Sequence, residues 1–418
     1  MSTTDSQQQT SARRGPATPA AAVLQSPREQ FIPLRKAELV ESLASSPDLS
    51  EADALSFRRF CRLLQALFHR EYQSSLEDLK NDYAPFDPDA DTRPQRELSD
   101  AELTERQQTL FERFGWLLQR GNFLKLAQSD IDRALSDSSQ WGLNLAIDLR
   151  IFERLEIYCR GDSLGIRYRR RLINRLRTEA IEVPIYQRLV VIFRLRPDCK
   201  FSKYLDTHDI HIKLFKEIPK LDLEMLLPGT QVKMSLVDRA KILLPTLSGI
   251  SITIWKLVQG AIFAAAVGFY GVLALLGLVG GTIGYGVRSF FGYLNTKQKY
   301  QLNLTQSLYY QNLDNNAGVI YRLLDEAEEQ DNREAILAYF YLWRHGLPAG
   351  LSAAELDGQI EAFLKIHTKS DVDFEVSDAL EKLERLGIVA PASDGKIKAL
   401  EISEALGCLE RRWAILPS

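Results

Sequence analysis

Apolar side chains recur every three or four positions from Phe57 through Phe60, Cys61, Leu64, Leu67 and Phe68 to Tyr72, which lines one face of a helix. Ser50 with Asp53 forms an imperfect capping box, and Ser99-Asp100-Ala101-Glu102 a full one. Pro85, Pro88 and Pro94 separate the helices that these caps open. Between Leu149 and Ser235 the period shortens. RIFERLEIYCR, VPIYQRLVVIFRLR and DIHIKLFKEI are rich in Ile, Val, Tyr and Phe and partly alternate, the pattern of strands in a small antiparallel sheet. The basic stretch from Ile166 to Thr178 is expected to be a helix crossing that sheet, since Arg167, Arg171 and Arg175 repeat at helical spacing.

From Leu257 to Val287 there are 31 consecutive residues without a charge, and Lys256 and Arg288 are the only charges between Ile242 and Thr296. As one helix this run would extend ~46 Å, beyond the ~30 Å of bilayer hydrocarbon. Two membrane helices fit better, about Gly249 to Phe269 and Val272 to Tyr293, with a turn at Tyr270-Gly271. A single broken span from Leu257 to Val279 is the alternative. The hairpin sets Trp255, Lys256, Arg288 and Tyr293 at one interface, as anchors. Small residues every fourth position, at Gly260, Ala264 and Gly268 and again at Gly280 and Gly284, let two helices approach closely.

After Lys297 the pattern is helical again, and the acidic run from Asp325 to Asp331 reads as a solvated face. An apolar helix from Ala335 to Trp343 follows, then a helix opened by the capping box Ser352-Ala353-Ala354-Glu355 and a third from about Phe374 to Leu386. Two short strands then flank the turn signal Ser393-Asp394-Gly395. Three helices and a hairpin suggest a winged helix. Its third helix carries Glu375, Asp378, Glu381 and Glu384 against Lys382 and Arg385, so phosphates would be repelled and protein contact is favoured over DNA.

The expected fold class is therefore α+β, mostly helical. It divides into a tail (1–28), a helical domain (29–145), a small antiparallel α+β domain (146–241), a transmembrane hairpin (242–296), a helical connector (297–332) and a winged-helix-like domain (333–418).

Composition adds little. A net charge of −3 implies no general attraction to nucleic acid, and the four cysteines are too scattered for a zinc site or a disulfide framework. The tail lacks the apolar core of a signal peptide.

Candidate chemistry is sparse. Gly161-Asp162-Ser163-Leu164-Gly165 matches the G-x-S-x-G of a hydrolase elbow, and Asp206, His208 and His211 follow it. Too little chain separates the motif from the hydrophobic run for the alternating layers of that fold, so a turn is the better reading and a serine hydrolase through Ser163 a remote one. His208 and His211 would face opposite ways on a strand, and Asp222 with Glu224 lacks a third ligand. Neither a cofactor nor a metal is expected. Arg167, Arg169, Arg170, Arg171, Arg175 and Arg177, with Leu172, Ile173 and Leu176 as an apolar side, are candidate contacts for anionic lipid. Pairing of these arginines with the acidic C-terminal region is the alternative.

REQFIPLRKAELVESL, EIYCRG, VPIYQRLVVIFRL, IKLFKEIPKLDLEMLLPGTQVKMSLVDRAKILLPTLSG and DFEVSDALEKLERLGIV together resemble the transmembrane protein 143 family. That is a set of membrane proteins filed under domain of unknown function 3754. The likeness covers nearly everything after residue 28 and is most specific from Ile212 to Gly249. It implies a membrane location and no reaction. The reading is thus a multi-pass integral membrane protein that is not an enzyme, a scaffold for a protein partner in contact with membrane lipids. The alternative is a protein that binds or senses anionic lipid.

Overall fold

The computed structural model describes residues 28–92, 95–137, 144–170, 178–200, 206–233, 309–392 and 394–415, and seven single positions: Ser251, Trp255, Gly280, Gly284, Arg288, Phe291 and Gln298. The first helix, α1 (Lys36–Ala44), leads into α2 (Glu51–Tyr83), whose N-terminus is capped by Ser50 Oγ accepting from Asp53 N at 3.1 Å. Every member of the predicted stripe from Phe57 to Tyr72 is buried, and the stripe continues through Leu76 and Leu79 to Tyr83. The capping box at Ser99 and Glu102 opens α3 (Asp100–Arg120).

A five-stranded antiparallel sheet follows, in the order β1 (Leu124–Lys125), β3 (Phe152–Arg170), β4 (Thr178–Leu195), β5 (Ile210–Pro219) and β7 (Asn312–Asn315). Helix α4 (Gln128–Asp137) and the pair β2 (Asn144–Ala146) with β6 (Gln231–Lys233) lie beside it in the chain. Both faces of the sheet are covered. Val190, Ile192, Ile212 and Leu214 pack with α2 and α3, while Leu189, Val191, Phe193 and Phe215 pack with Ile131 of α4 and with Leu223, Leu226 and Leu227. Two-sided burial is why β4 reads as a nearly continuous apolar run and not as strict alternation.

Two sequence expectations change here. Residues 166–170 are strand, not helix, and pair with residues 178–182 in a register that runs unbroken from Arg154 to Arg170. The reason lies in the spacing. Arg167, Arg169, Arg171, Arg175 and Arg177 occupy alternate positions apart from one gap, so the helical spacing of four is a subset of a strand's spacing of two. Asn312–Asn315, expected within a helical stretch, form strand β7 and pair with β5.

Beyond β7 the chain enters α5 (Ala317–His345), 29 residues long, which runs through residue 333 without a break. Helix α6 (Ala353–Thr368) starts at the Ser352 capping box, α7 (Val376–Leu386) ends at Gly387 in the left-handed region (φ +73°), and β8 (Val389–Pro391) pairs with β9 (Ile397–Ala399). Helix α8 (Ile402–Ile415), unforeseen in the sequence, closes the fold. The result is a mostly helical α+β architecture with a small antiparallel sheet.

The two ends of the chain share one core. Ile32, Leu39, Leu43, Phe57, Phe60, Leu64 and Phe68 pack with Ile336, Tyr339, Trp343, Ile360, Leu383 and Leu409. Phe60 stacks on Tyr339 with ring centroids 4.0 Å apart, and Phe57 meets Phe340 edge-on at 5.2 Å. Such pairs add about 0.5–1.5 kcal/mol each beyond their buried area.

The transmembrane hairpin expected at 242–296 lies outside the described residues, apart from Ser251, Trp255, Gly280, Gly284, Arg288 and Phe291, each helical and exposed. Among the described residues no helix is long and apolar enough to cross a membrane.

Because Phe60 is fully buried between the two ends of the chain, Phe60→Ala is expected to cost about 3–5 kcal/mol. In urea melts, α2 and the C-terminal helices should lose structure in one transition; two separated transitions would contradict the shared core.

Candidate functional site

Helix α5 passes between the N-terminal helices and the C-terminal elements, and where it crosses it is buried on all sides. Gln330, Asp331, Asn332 and Glu334 are each at most 1% exposed, and Glu328 and Arg333 are buried too. Of the acidic run expected to be solvated, Glu328 and Asp331 therefore turn inward, while Asp325 is exposed and Glu326 and Glu329 are half-buried. Its flanks explain this, since Val319 to Ala327 and Ala335 to Trp343 supply buried apolar residues to the cores on either side.

Lys382 of α7, read in the sequence as part of an exposed face, is 1% exposed. Its Nζ lies 2.6 Å from carboxylate oxygens of Asp331, Glu334 and Asp378. Arg120 of α3 donates to Asp331 at 2.6 Å, and the Tyr72 hydroxyl of α2 donates to the same carboxylate at 2.7 Å. Gln330 donates to Glu334 at 2.7 Å and to Gln30 O at 3.2 Å, and accepts from Ile32 N at 3.1 Å. The N-terminal strap extends the network, with Gln30 donating to Glu375 at 2.7 Å and Arg28 paired with Asp373 and Glu361.

Two cations thus face three carboxylates. Burial would lower the Lys382 ammonium, but Glu334, Asp331 and Asp378 together hold it above its ordinary value. Burial pushes the Glu334 carboxyl up to about 7, against the pull of Lys382 and with the help of Asp331. Asp378 goes the other way, held down by Lys382 in spite of its burial. A proton on Glu334 would leave two cations facing two carboxylates, so its raised pKa agrees with the charge balance of the cluster.

The three carboxylates have the spacing of a cation site, their oxygens lying within 4.8 Å of one another. The Lys382 ammonium stands among them as that cation. A group so deeply enclosed meets no substrate, and a lysine held in its charged form is not a nucleophile. The arrangement is an ionic joint. An open cleft of about 500 Å³ lies nearby over residues 31–37; two of its three cations, Arg333 and Lys36, are paired with Glu329, and the third is the exposed Arg35.

The other sequence candidates are scattered. Ser163 sits within β3, paired opposite Ile185, so neither the expected turn nor the strand-turn-helix of a nucleophile elbow is formed. Gly161 adopts φ +73°, and a Cβ there would come within 2.7 Å of the Gln187 side chain, so glycine serves the strand's local geometry. His208 is exposed, whereas His211 is buried against Phe193 with its pKa lowered by burial, so the two do not converge. Burial raises the Cys159 thiol to about 12, away from reactivity. Asp222 and Glu224 fall in the short 3-10 helix Lys220–Leu226.

Arg167, Arg169 and Arg170 are placed in β3; Arg171, Arg175 and Arg177 lie outside the described residues, as do Lys256, Gly260, Ala264, Gly268 and Tyr293. Trp255 is 61% exposed, and Arg288 is exposed. At Gly280 and Gly284 an added Cβ would meet nothing within 4 Å among the described residues.

Residues 186–318 match the family model described as "Protein of unknown function (DUF3754)". The match is to an uncharacterised family. It begins in β4, takes in β5, β6, β7 and the uncharged run, and ends in the first turn of α5. No solved structure matches the chain.

Lys382→Ala leaves the buried Glu334 without a cation, Asp331 with Arg120 alone and Asp378 half-buried and unpaired from the lysine, and is expected to lower unfolding free energy by about 3–5 kcal/mol in denaturant titrations. Glu334 has its own pH signature. With a pKa raised in the fold above the ordinary 4.5, it contributes stability that is fully present below that value and is lost as pH rises through about 7. Glu334→Gln should flatten the pH dependence of the unfolding midpoint across that window. An unchanged slope would mean that Glu334 is ionised throughout.

Proposed function

We propose that the protein is a membrane-anchored scaffold without catalytic activity, whose soluble parts form one body beside the membrane. The observation that carries this reading is where the chain leaves that body and where it returns. β6 ends at Lys233 and is paired with β2; β7 begins at Asn312 and is paired with β5. Residues 234–308, with the 31-residue uncharged run inside them, thus depart from and rejoin the same folded unit. A chain that comes back to the folded unit it left crosses a bilayer an even number of times. The lengths support the same number: the 31-residue run is too long for one straight crossing, and residues 249–293 around it are enough for two.

The finer family likeness, to the transmembrane protein 143 group, agrees with this. So does the C-terminal unit. Helices α5, α6 and α7, the bridge between Leu351 and Ile397, and the β8–β9 hairpin follow the element order of a winged helix. In DNA-binding members of that architecture the third helix reads the groove. Here α7 turns Lys382 inward, and its exposed positions are Ser377, Glu381, Glu384 and Arg385, with Arg385 paired to Glu71. An outward face this acidic supports protein contact over nucleic acid.

Topology labelling tests the reading. In a Cys408→Ser background, where the remaining cysteines are buried, Thr230→Cys and Tyr310→Cys should both react with an impermeant maleimide from the same side of the membrane. The protein should also stay in the membrane pellet at alkaline pH. Labelling from opposite sides, or release by alkali, would sink the proposal.

A further inference from the structure

The β3–β4 hairpin outruns the sheet that supports it. β5 covers β4 from Ile185 to Arg194, yet β3 and β4 stay paired from Leu164 opposite Pro184 out to Arg170 opposite Thr178. At ~3.4 Å per residue the free two-stranded arm extends about 20 Å past the sheet. Ribbons of two strands are marginal in water unless another surface covers them.

Its charge is one-sided. Residues 164–184 hold six arginines against two glutamates, Glu179 and Glu182, in a chain whose net charge is −3. Basic and apolar residues are interspersed along β3 from Ile166 through Arg167, Tyr168 and Arg169 to Arg170, which pair with residues 178–182. Leu164, at the root of the arm, is 65% exposed.

The arm emerges at the end of the sheet to which residues 234–308 return. Pro219 at the end of β5 pairs with Ile185 at the arm's base, and Gln311, just ahead of β7, donates to Glu217 O at 2.9 Å. Tyr309 and Tyr310, 76% and 73% exposed, therefore stand at this same end. Exposed aromatic rings beside arginines and apolar residues, next to a long uncharged segment, have the composition of a headgroup interface.

We propose that the β3–β4 arm lies along the bilayer surface that takes up residues 234–308 and binds anionic lipid headgroups there, an inference that rests on the membrane-anchored reading. Arg167, Arg169 and Arg170 supply the charge. At the usual contribution per basic residue, losing the three charges weakens the arm's association with an anionic surface by about a hundredfold, and reversing them weakens it further.

The test uses full-length protein reconstituted into vesicles of phosphatidylcholine alone or mixed with phosphatidylglycerol, in the Cys408→Ser background. A spin label at Tyr168→Cys reports the arm, and one at His208→Cys, exposed at the opposite end of the sheet, is the control. The arm label should be shielded from an aqueous relaxation agent only in the anionic vesicles, and R167E/R169E/R170E should abolish the shielding while the control stays in water. An arm label equally accessible in both lipids overturns the proposal, as does shielding that ignores both lipid charge and the reversal. Incorporation with an accessible arm defeats the arm alone. Failure of the intact protein to enter either vesicle defeats the membrane-anchored reading with it.

Discussion

A lysine ammonium cannot be buried without partners, and this fold is arranged around one that is. Lys382 draws Asp331 and Glu334 of α5 and Asp378 of α7 to within 2.6 Å, and through Asp331 it reaches Arg120 of α3 and Tyr72 of α2. Elements from the first third and the last quarter of the chain are thereby tied to one helix. Desolvating such a cluster is costly, and hydrophobic residues of equal volume would pack as firmly. The charges are expected to contribute specificity, since a docking of α7 on α5 that displaced Lys382 would leave Asp331 and Glu334 buried without it.

The parts of this plan visible in the sequence are those governed by local periodicity. The Phe57 to Tyr72 stripe, the caps at Ser50, Ser99 and Ser352, and the β8–β9 hairpin with Asp394-Gly395 each declare themselves within a dozen residues. What stays hidden depends on partners distant in sequence. Asp331 and Lys382 look like members of solvated charged faces until α7 is laid on α5, and Gln330 to Glu334 give one hint, a polar patch between two apolar stretches of an unbroken helix. The arginines of β3 mislead differently. A spacing of four satisfies both helix and strand, and only the pairing with residues 178–182 decides between them.

The same topology frames the functional reading. The strands that bracket residues 234–308 belong to one body, and the Lys382 joint makes that body continuous with both ends of the chain. An anchor embedded in the middle of a sequence, with its soluble flanks fused, would hold a single rigid surface beside a membrane. Two soluble domains on separate tethers would behave quite differently. Of the two candidates for chemistry, Ser163 is held in a strand and the carboxyl of Glu334 is sealed from solvent.

Native-state hydrogen exchange, comparing the protein with its Lys382→Ala variant, tests the central claim most directly. Amides of α2 near Leu64, of α5 near Ala335 and of α7 near Leu383 should open together in a single global event, and the variant should lose protection in all three by the same amount. Loss confined to α7 and the β8–β9 hairpin, with α2 unaffected, would show two independent units and contradict the account.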